Sequence, residues 1–125
     1  MNTVFSTTKA PGAIGPYSQA IDCGAFVYAS GQIPVDPATG NIPEGITAQA
    51  RQSLANVKAI LEEAGLTMAH VVKTTCFLAE MSDFAAFNEV YAEAFTAPYP
   101  ARSCVAVKEL PKQVLCEVEV IAVKG

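Results

Sequence analysis

The segment Val114–Val123 constrains this 125-residue chain more than any other stretch. Strand side chains alternate between the two faces of a sheet. One face would carry Val114, Cys116, Val118, Val120 and Ala122; the other would carry Leu115, Glu117, Glu119, Ile121 and Val123. Both faces are largely apolar, which suits a strand covered on both sides. Only two segments read as helices, and two helices can cover only one face of a sheet. A second subunit is the economical cover for the other.

Composition points the same way. Hydrophobic residues make up 51% of the chain and charged residues 16%, against a usual charged share of about 25%. A domain this small buries only about two-thirds of its unfolded surface, so part of the apolar excess must lie near the outside. A membrane is a poor cover: the runs Val71–Leu78 and Val114–Val123 are too short to span and carry Lys73, Glu117 and Glu119. The segment MNTVFSTTKAPG has no basic patch followed by an apolar core, so no secretory signal is visible. The expectation is a single domain over residues 1–125, soluble and cytoplasmic, with no membrane partner, that forms a homo-oligomer.

Along the chain, Val4–Thr8 reads as a strand and is followed by the loop APGAIGPYS. Ser18–Asp22 and Phe26–Ser30 read as a hairpin around Cys23-Gly24-Ala25. After the breaker-rich GQIPVDPATGNIPEG, Thr47 is a plausible N-cap for a helix running to Ala64. That helix places Ala50, Leu54, Val57 and Leu61 on one face, and Gly65 stops it. Val71–Leu78 is a strand. Ser82 or Asp83 opens a second helix with the stripe Phe84, Phe87, Val90, Tyr91, Ala94 and Phe95, read as core packing. Arg102–Val107 and Val114–Val123 are the last strands. The order β, ββ, α, β, α, ββ predicts an α+β fold, with two helices on one face of a single sheet.

Net charge is −4, without a basic run, which argues against nucleic acid as the principal partner. Cys23, Cys76, Cys104 and Cys116 are far apart, and His70 is the only histidine, so the close-paired ligands of a zinc site are missing and no metal is expected. Cys23, Cys76 and Cys116 read as buried small hydrophobes in a reducing compartment. Phosphate-loop, dinucleotide-binding and nucleophile-elbow motifs are absent. His70 follows a helix end and a turn and reads as a solvated loop residue.

Arg102 stands among small and apolar neighbours at the start of a strand. Its planar fork can hold a carboxylate through two parallel hydrogen bonds; a structural ion pair with Glu119 is the competing reading. Cys104 shares its face. Glu117 lies in the most apolar stretch, where burial raises a carboxyl pKa and a nearby guanidinium lowers it, a setting suited to moving protons. A simple hairpin between the last strands would place Cys104 opposite Glu117. Gly15-Pro16-Tyr17-Ser18 and Ser30-Gly31-Gln32 form a third cluster, in which Gly31 allows close approach of the backbone.

Taken together, Gly15–Gln19, Ser30–Pro34, Gln49–Val57, Pro100–Cys104 and Val118–Val123 resemble the RidA (YjgF-type) family of enamine/imine deaminases, in nearly continuous register from Pro11 to the C-terminus. The resemblance implies a chorismate-mutase-like fold and a homotrimer with sites between subunits. It implies hydrolysis of 2-aminoacrylate and 2-iminobutanoate, released by PLP-dependent dehydratases, to 2-oxo acids and ammonia, with no cofactor. It also implies a final strand inside the sheet, so the hairpin register of Cys104 with Glu117 would fail. Arg102 matches the carboxylate-clamping arginine and Glu117 the water-activating glutamate, with Glu119 as the alternative. Cys104 matches a site-lining position, and Tyr17, Ser30, Gly31 and Asn88 match pocket-lining or ligand-bonding positions. The short Phe95–Pro100 connection departs from several relatives and borders Arg102. The runner-up function is a trimeric small-metabolite-binding regulatory module with little turnover. A ribonuclease-type activity fits the −4 charge poorly.

Overall fold

The computed structural model describes residues 3–125. In chain order the strands and helices are β1 (Thr3–Phe5), β2 (Ala20–Asp22), β3 (Phe26–Gln32), α1 (Ile46–Glu63), β4 (Val71–Leu78), α2 (Phe84–Ala94), β5 (Ala101–Ala106) and β6 (Cys116–Val123). They form one mixed six-stranded sheet in the order β1-β2-β3-β6-β4-β5, with both helices packed on one side: an α+β fold.

The sheet explains why the last two strands are not a hairpin. β4 and β5 are parallel, joined by a crossover through α2, as parallel neighbours require. β5 thereby takes one edge of β4 and becomes the edge of the sheet. β6 takes the other edge of β4 and closes against β3, antiparallel to both. Glu117 therefore faces Phe77, and Cys104 is in register with Cys76. The expected pairing of Cys104 with Glu117 is replaced by one in which β4 lies between them.

The alternation within β6 holds. Cys116, Val118, Val120 and Ala122 are all buried beneath the helices, and Val114, two residues before the strand begins, is buried as well. The four strand residues join Val57, Ile60 and Leu61 of α1, Phe87 and Val90 of α2, and Val27 and Leu78 of the sheet, in one core. Such burial of aliphatic side chains is worth about 1.5–3 kcal/mol each. On the other side the sheet is open, with Phe26, Tyr28 and Val105 exposed and Phe77, Ile121 and Val123 half-buried. Among the described residues, no helix is long and apolar enough to cross a membrane.

Local signals fix the helix ends. α1 begins one residue before Thr47, and Gly45 is its N-cap, at φ 85° and without a side-chain cap bond. Thr47 is thus inside the first turn. At the other end Gly65 adopts φ 76°; its N–H reaches Glu62 O and that of Leu66 reaches Leu61 O, completing a Schellman motif. His70 is held in place: its Nδ1 accepts the Thr67 N–H at 3.0 Å in a capping box. Cys23 is exposed, because it sits in the tight connection between β2 and β3 rather than on a strand facing the core.

Candidate active site

Arg102 projects from β5 onto α2. Its Nη1 donates to Asn88 Oδ1 at 2.7 Å, and its guanidinium carbon lies 4.6 Å from the Tyr91 ring centre and 5.5 Å from that of Phe84. Positions 84, 88 and 91 share one helix face, so the aromatic stripe serves as a platform for the guanidinium as well as core. Among the described residues, Asn88 is its only hydrogen-bond partner, and it has no ion pair. The pairing with Glu119 is not made, because Glu119 lies on the opposite face of the sheet. Cys104 shares the helix side and packs against the core. Burial raises its thiol pKa, partly offset by the Arg102 charge.

Glu117 lies on the open face of β6. Its carboxyl rests against β3: a Cβ at Gly31 would come within 2.9 Å of Cδ and 3.1 Å of Cγ. Beside it the β3–β6 ladder is interrupted between Ala29 and Gln32, so Ser30 and Gly31 are released from regular pairing. Partial burial, and then the neighbouring Glu119 carboxylate, push the Glu117 pKa up. This acid holds its proton to a higher pH than an exposed glutamate does.

Ser30 donates to Ser18 O at 2.6 Å, tying the bulge to the loop that carries Tyr17. That loop is itself strapped down by the buried Gln19, whose Oε1 accepts the Thr7 N–H at 2.7 Å and whose Nε2 donates to Pro11 O at 2.7 Å. Tyr17 is exposed and lies between two concavities. One, of about 590 Å³, is lined in part by Ile14, Gly31, Ile33 and Lys112; the other, of about 420 Å³, lies on the open face beside Ser30, Lys73, Thr75 and Glu119.

The site residues expected from the sequence thus fall into two groups within one chain. Arg102, Asn88 and Cys104 are on the helix side near the β5 edge, whereas Glu117, Gly31, Ser30 and Tyr17 are on or beside the open face. Arg102 and Glu117 are two strands apart, about 9–10 Å. They are also offset by three residues along the strands, about 10 Å, and point to opposite sides. Motif reading passed over the polar supports on α1. Buried Asn56 donates to Ile33 O at 3.1 Å and Val35 O at 3.0 Å. Gln49 donates to Pro43 O and accepts the Leu115 N–H at 2.7 Å, two residues before Glu117. The signal was the polar series Gln49, Ser53 and Asn56 on the same helix face as Ala50, Leu54, Val57 and Leu61. Among the described residues, no group of three or more His, Cys, Asp or Glu could hold a metal ion.

The family model described as Endoribonuclease L-PSP matches residues 7–124. The chain belongs to this family. Among its relatives, a RutC family protein of Haemophilus influenzae is 57% identical over 128 residues, covering 99% of this chain and 98% of the relative. The 2-iminobutanoate/2-iminopropanoate deaminase of Salmonella typhimurium is 54% identical over 127 residues, covering 99% of each. The solved structure of Escherichia coli TdcF with bound serine superposes with a TM-score of 0.96 at 52% identity, covering 98% of this chain and 99% of that one. Those are members of the RidA/YjgF grouping to which the sequence motifs pointed.

Proposed function

We propose that this protein hydrolyses 2-enamino and 2-imino acids such as 2-aminoacrylate and 2-iminobutanoate to 2-oxo acids and ammonia. The observation that carries this reading is the state of Arg102: fixed on its inner side by Asn88 and two aromatic rings, with its remaining donors available to a carboxylate. Full-length relatives named as deaminases of such imines support it.

The active assembly we propose is a homotrimer. In each cleft, one subunit supplies Arg102, Asn88 and Cys104, and its neighbour supplies Glu117 with Gly31, Ser30 and Tyr17. The separation of the two groups across the sheet within one chain supports this division, and the apolar open face supports its burial against another subunit.

In the reaction, the enamine first tautomerises to the imine. Arg102 holds the substrate carboxylate, which fixes the orientation of the C=N carbon. Glu117, once ionised, takes a proton from water as the oxygen bonds to that carbon. The nitrogen, protonated beforehand by solvent as the iminium, takes up the C=N electron pair and becomes the amine of a neutral carbinolamine. Glu117 returns the water proton to that nitrogen and the C–N bond breaks. Ammonia leaves as the carbinol hydroxyl gives its proton back to the Glu117 carboxylate, and from there to solvent, and the C=O forms. Positioned proton transfer of this kind contributes about 100- to 10,000-fold. The raised thiol pKa of Cys104 suits a wall of the site better than a nucleophile. The substrates are unstable enamines of the type that PLP-dependent dehydratases release, and we propose that the protein acts downstream of that chemistry.

The test is competition. With 2-imino acids generated in situ by an amino-acid oxidase and trapped by semicarbazide, the protein should divert imine to 2-oxo acid and suppress the semicarbazone, and Arg102→Ala should abolish this. An unchanged semicarbazone rate with the unaltered protein would replace this reading with that of a metabolite-binding module.

A further inference from the structure

Arg102 is the tip of a closed triangle that spans three elements. On β4, Thr74 stands in register with Arg102 of β5, on the same face of the sheet. The Thr74 hydroxyl shares a hydrogen bond of 2.9 Å with the Tyr91 hydroxyl of α2, and both residues are buried. The Tyr91 ring returns to Arg102, 4.6 Å from its guanidinium carbon. That ring is also wedged between Phe87 and Phe95, at centroid distances of 6.1 and 4.7 Å.

We infer that Tyr91, locked by Thr74, is a positioning residue that sets the plane of the Arg102 fork and thereby its selectivity for a carboxylate. A long arginine side chain has many rotamers to lose, while bidentate recognition requires its plane to be fixed. Asn88 fixes one end of the guanidinium; a ring face beneath the cation fixes its tilt and contributes attraction. A buried phenol hydroxyl needs a partner, and Thr74 supplies it from the residue beside Arg102. The ring is therefore referenced to the same strand pair that carries the arginine. If Tyr91 were core packing alone, its replacement would lower stability and leave carboxylate selectivity untouched.

The inference rests on the reading of Arg102 as the carboxylate clamp, and the experiment separates the two. Binding of 2-oxobutanoate and of its neutral amide is measured by calorimetry, alongside thermal melting. The unaltered protein should prefer the acid, and Arg102→Ala should lose that preference. Tyr91→Leu should reduce the acid-to-amide ratio about tenfold, while Tyr91→Phe, which keeps the ring, should stay within about threefold of the original ratio. Thr74→Val, which strands the phenol hydroxyl, should lower the ratio in the native background and have no further effect in the Tyr91→Phe background. A Tyr91→Leu protein that keeps the full ratio, while Arg102→Ala loses it, overturns the inference alone. Should Tyr91→Leu fail to fold, an equal Thr74→Val effect in both backgrounds overturns it. An Arg102→Ala protein that keeps the ratio overturns the clamp itself.

Discussion

The carboxyl group of Glu117 occupies the space that a side chain at position 31 would need. Gly31 is therefore required by close approach: a Cβ there would lie 2.9 Å from Glu117 Cδ.

Gly31→Ala should consequently displace the acid rather than unfold the protein, because the clash falls on the far end of a partly exposed side chain. Overpacking of this kind costs about 1–3 kcal/mol. Turnover of 2-iminobutanoate should fall at least about tenfold, since loss of a positioned proton-transfer group costs 100-fold or more. Steady-state kinetics and a thermal melt check both parts.

The raised pKa of Glu117 has two consequences. Between its ordinary value of 4.5 and the raised one, the folded state binds more protons than the unfolded chain does. Stability therefore declines as pH rises through that interval, and the full penalty is present above it. Glu117→Gln should melt higher than the native protein at pH 7, with the gain vanishing below about pH 4, while activity is lost. Glu119→Gln removes the second cause of the shift, so the acidic limb of kcat/KM should move to lower pH.

For Arg102, keeping the charge should not be enough. Arg102→Lys presents a point charge without the fork and cannot make the Asn88 contact and two carboxylate bonds in one plane. KM for imino acids should rise about 10- to 100-fold, as expected for loss of one or two charge-assisted hydrogen bonds. Initial rates across substrate concentration show whether KM or kcat carries the change.

The thiols should separate by exposure. Cys23 is exposed, while burial holds Cys76 up to about 12 and Cys116 up to about 11. Iodoacetamide at pH 8, followed by mass spectrometry, should label Cys23 first and leave Cys76 and Cys116 unmodified in the folded protein. Cys104→Ser should slow turnover less than Glu117→Gln does.

Much of this was readable in the residues, and each failure has its own physical cause. Alternation within β6 assigned its buried side chains Cys116, Val118, Val120 and Ala122 correctly, although the strand begins two residues later than expected, and β4 was found at its observed limits, because both are properties of one strand. What a strand pairs with is a property of the whole chain: β6 passes over its neighbour β5 because the α2 crossover makes β5 parallel to β4. The same fact separates Arg102 from Glu117. Thr47 was displaced as a cap because Gly45 already turns the chain at positive φ. Cys23 showed that a cysteine in a turn need not be buried. The cradle of Asn88 and Tyr91 was hidden because an aromatic stripe at helical spacing looks the same whether it covers core or a cation.

The central claim is that each active site takes Arg102 from one subunit and Glu117 from another. Subunit complementation tests it most directly. Arg102→Ala and Glu117→Ala proteins, each inactive alone, are unfolded together in equal amounts, refolded, and assayed for imine hydrolysis. If sites lie between subunits of a cyclic trimer, every mixed trimer contains one intact site. About a quarter of the native activity should then return. Mixed trimers that form, as shown by native mass spectrometry, yet remain inactive would contradict the account.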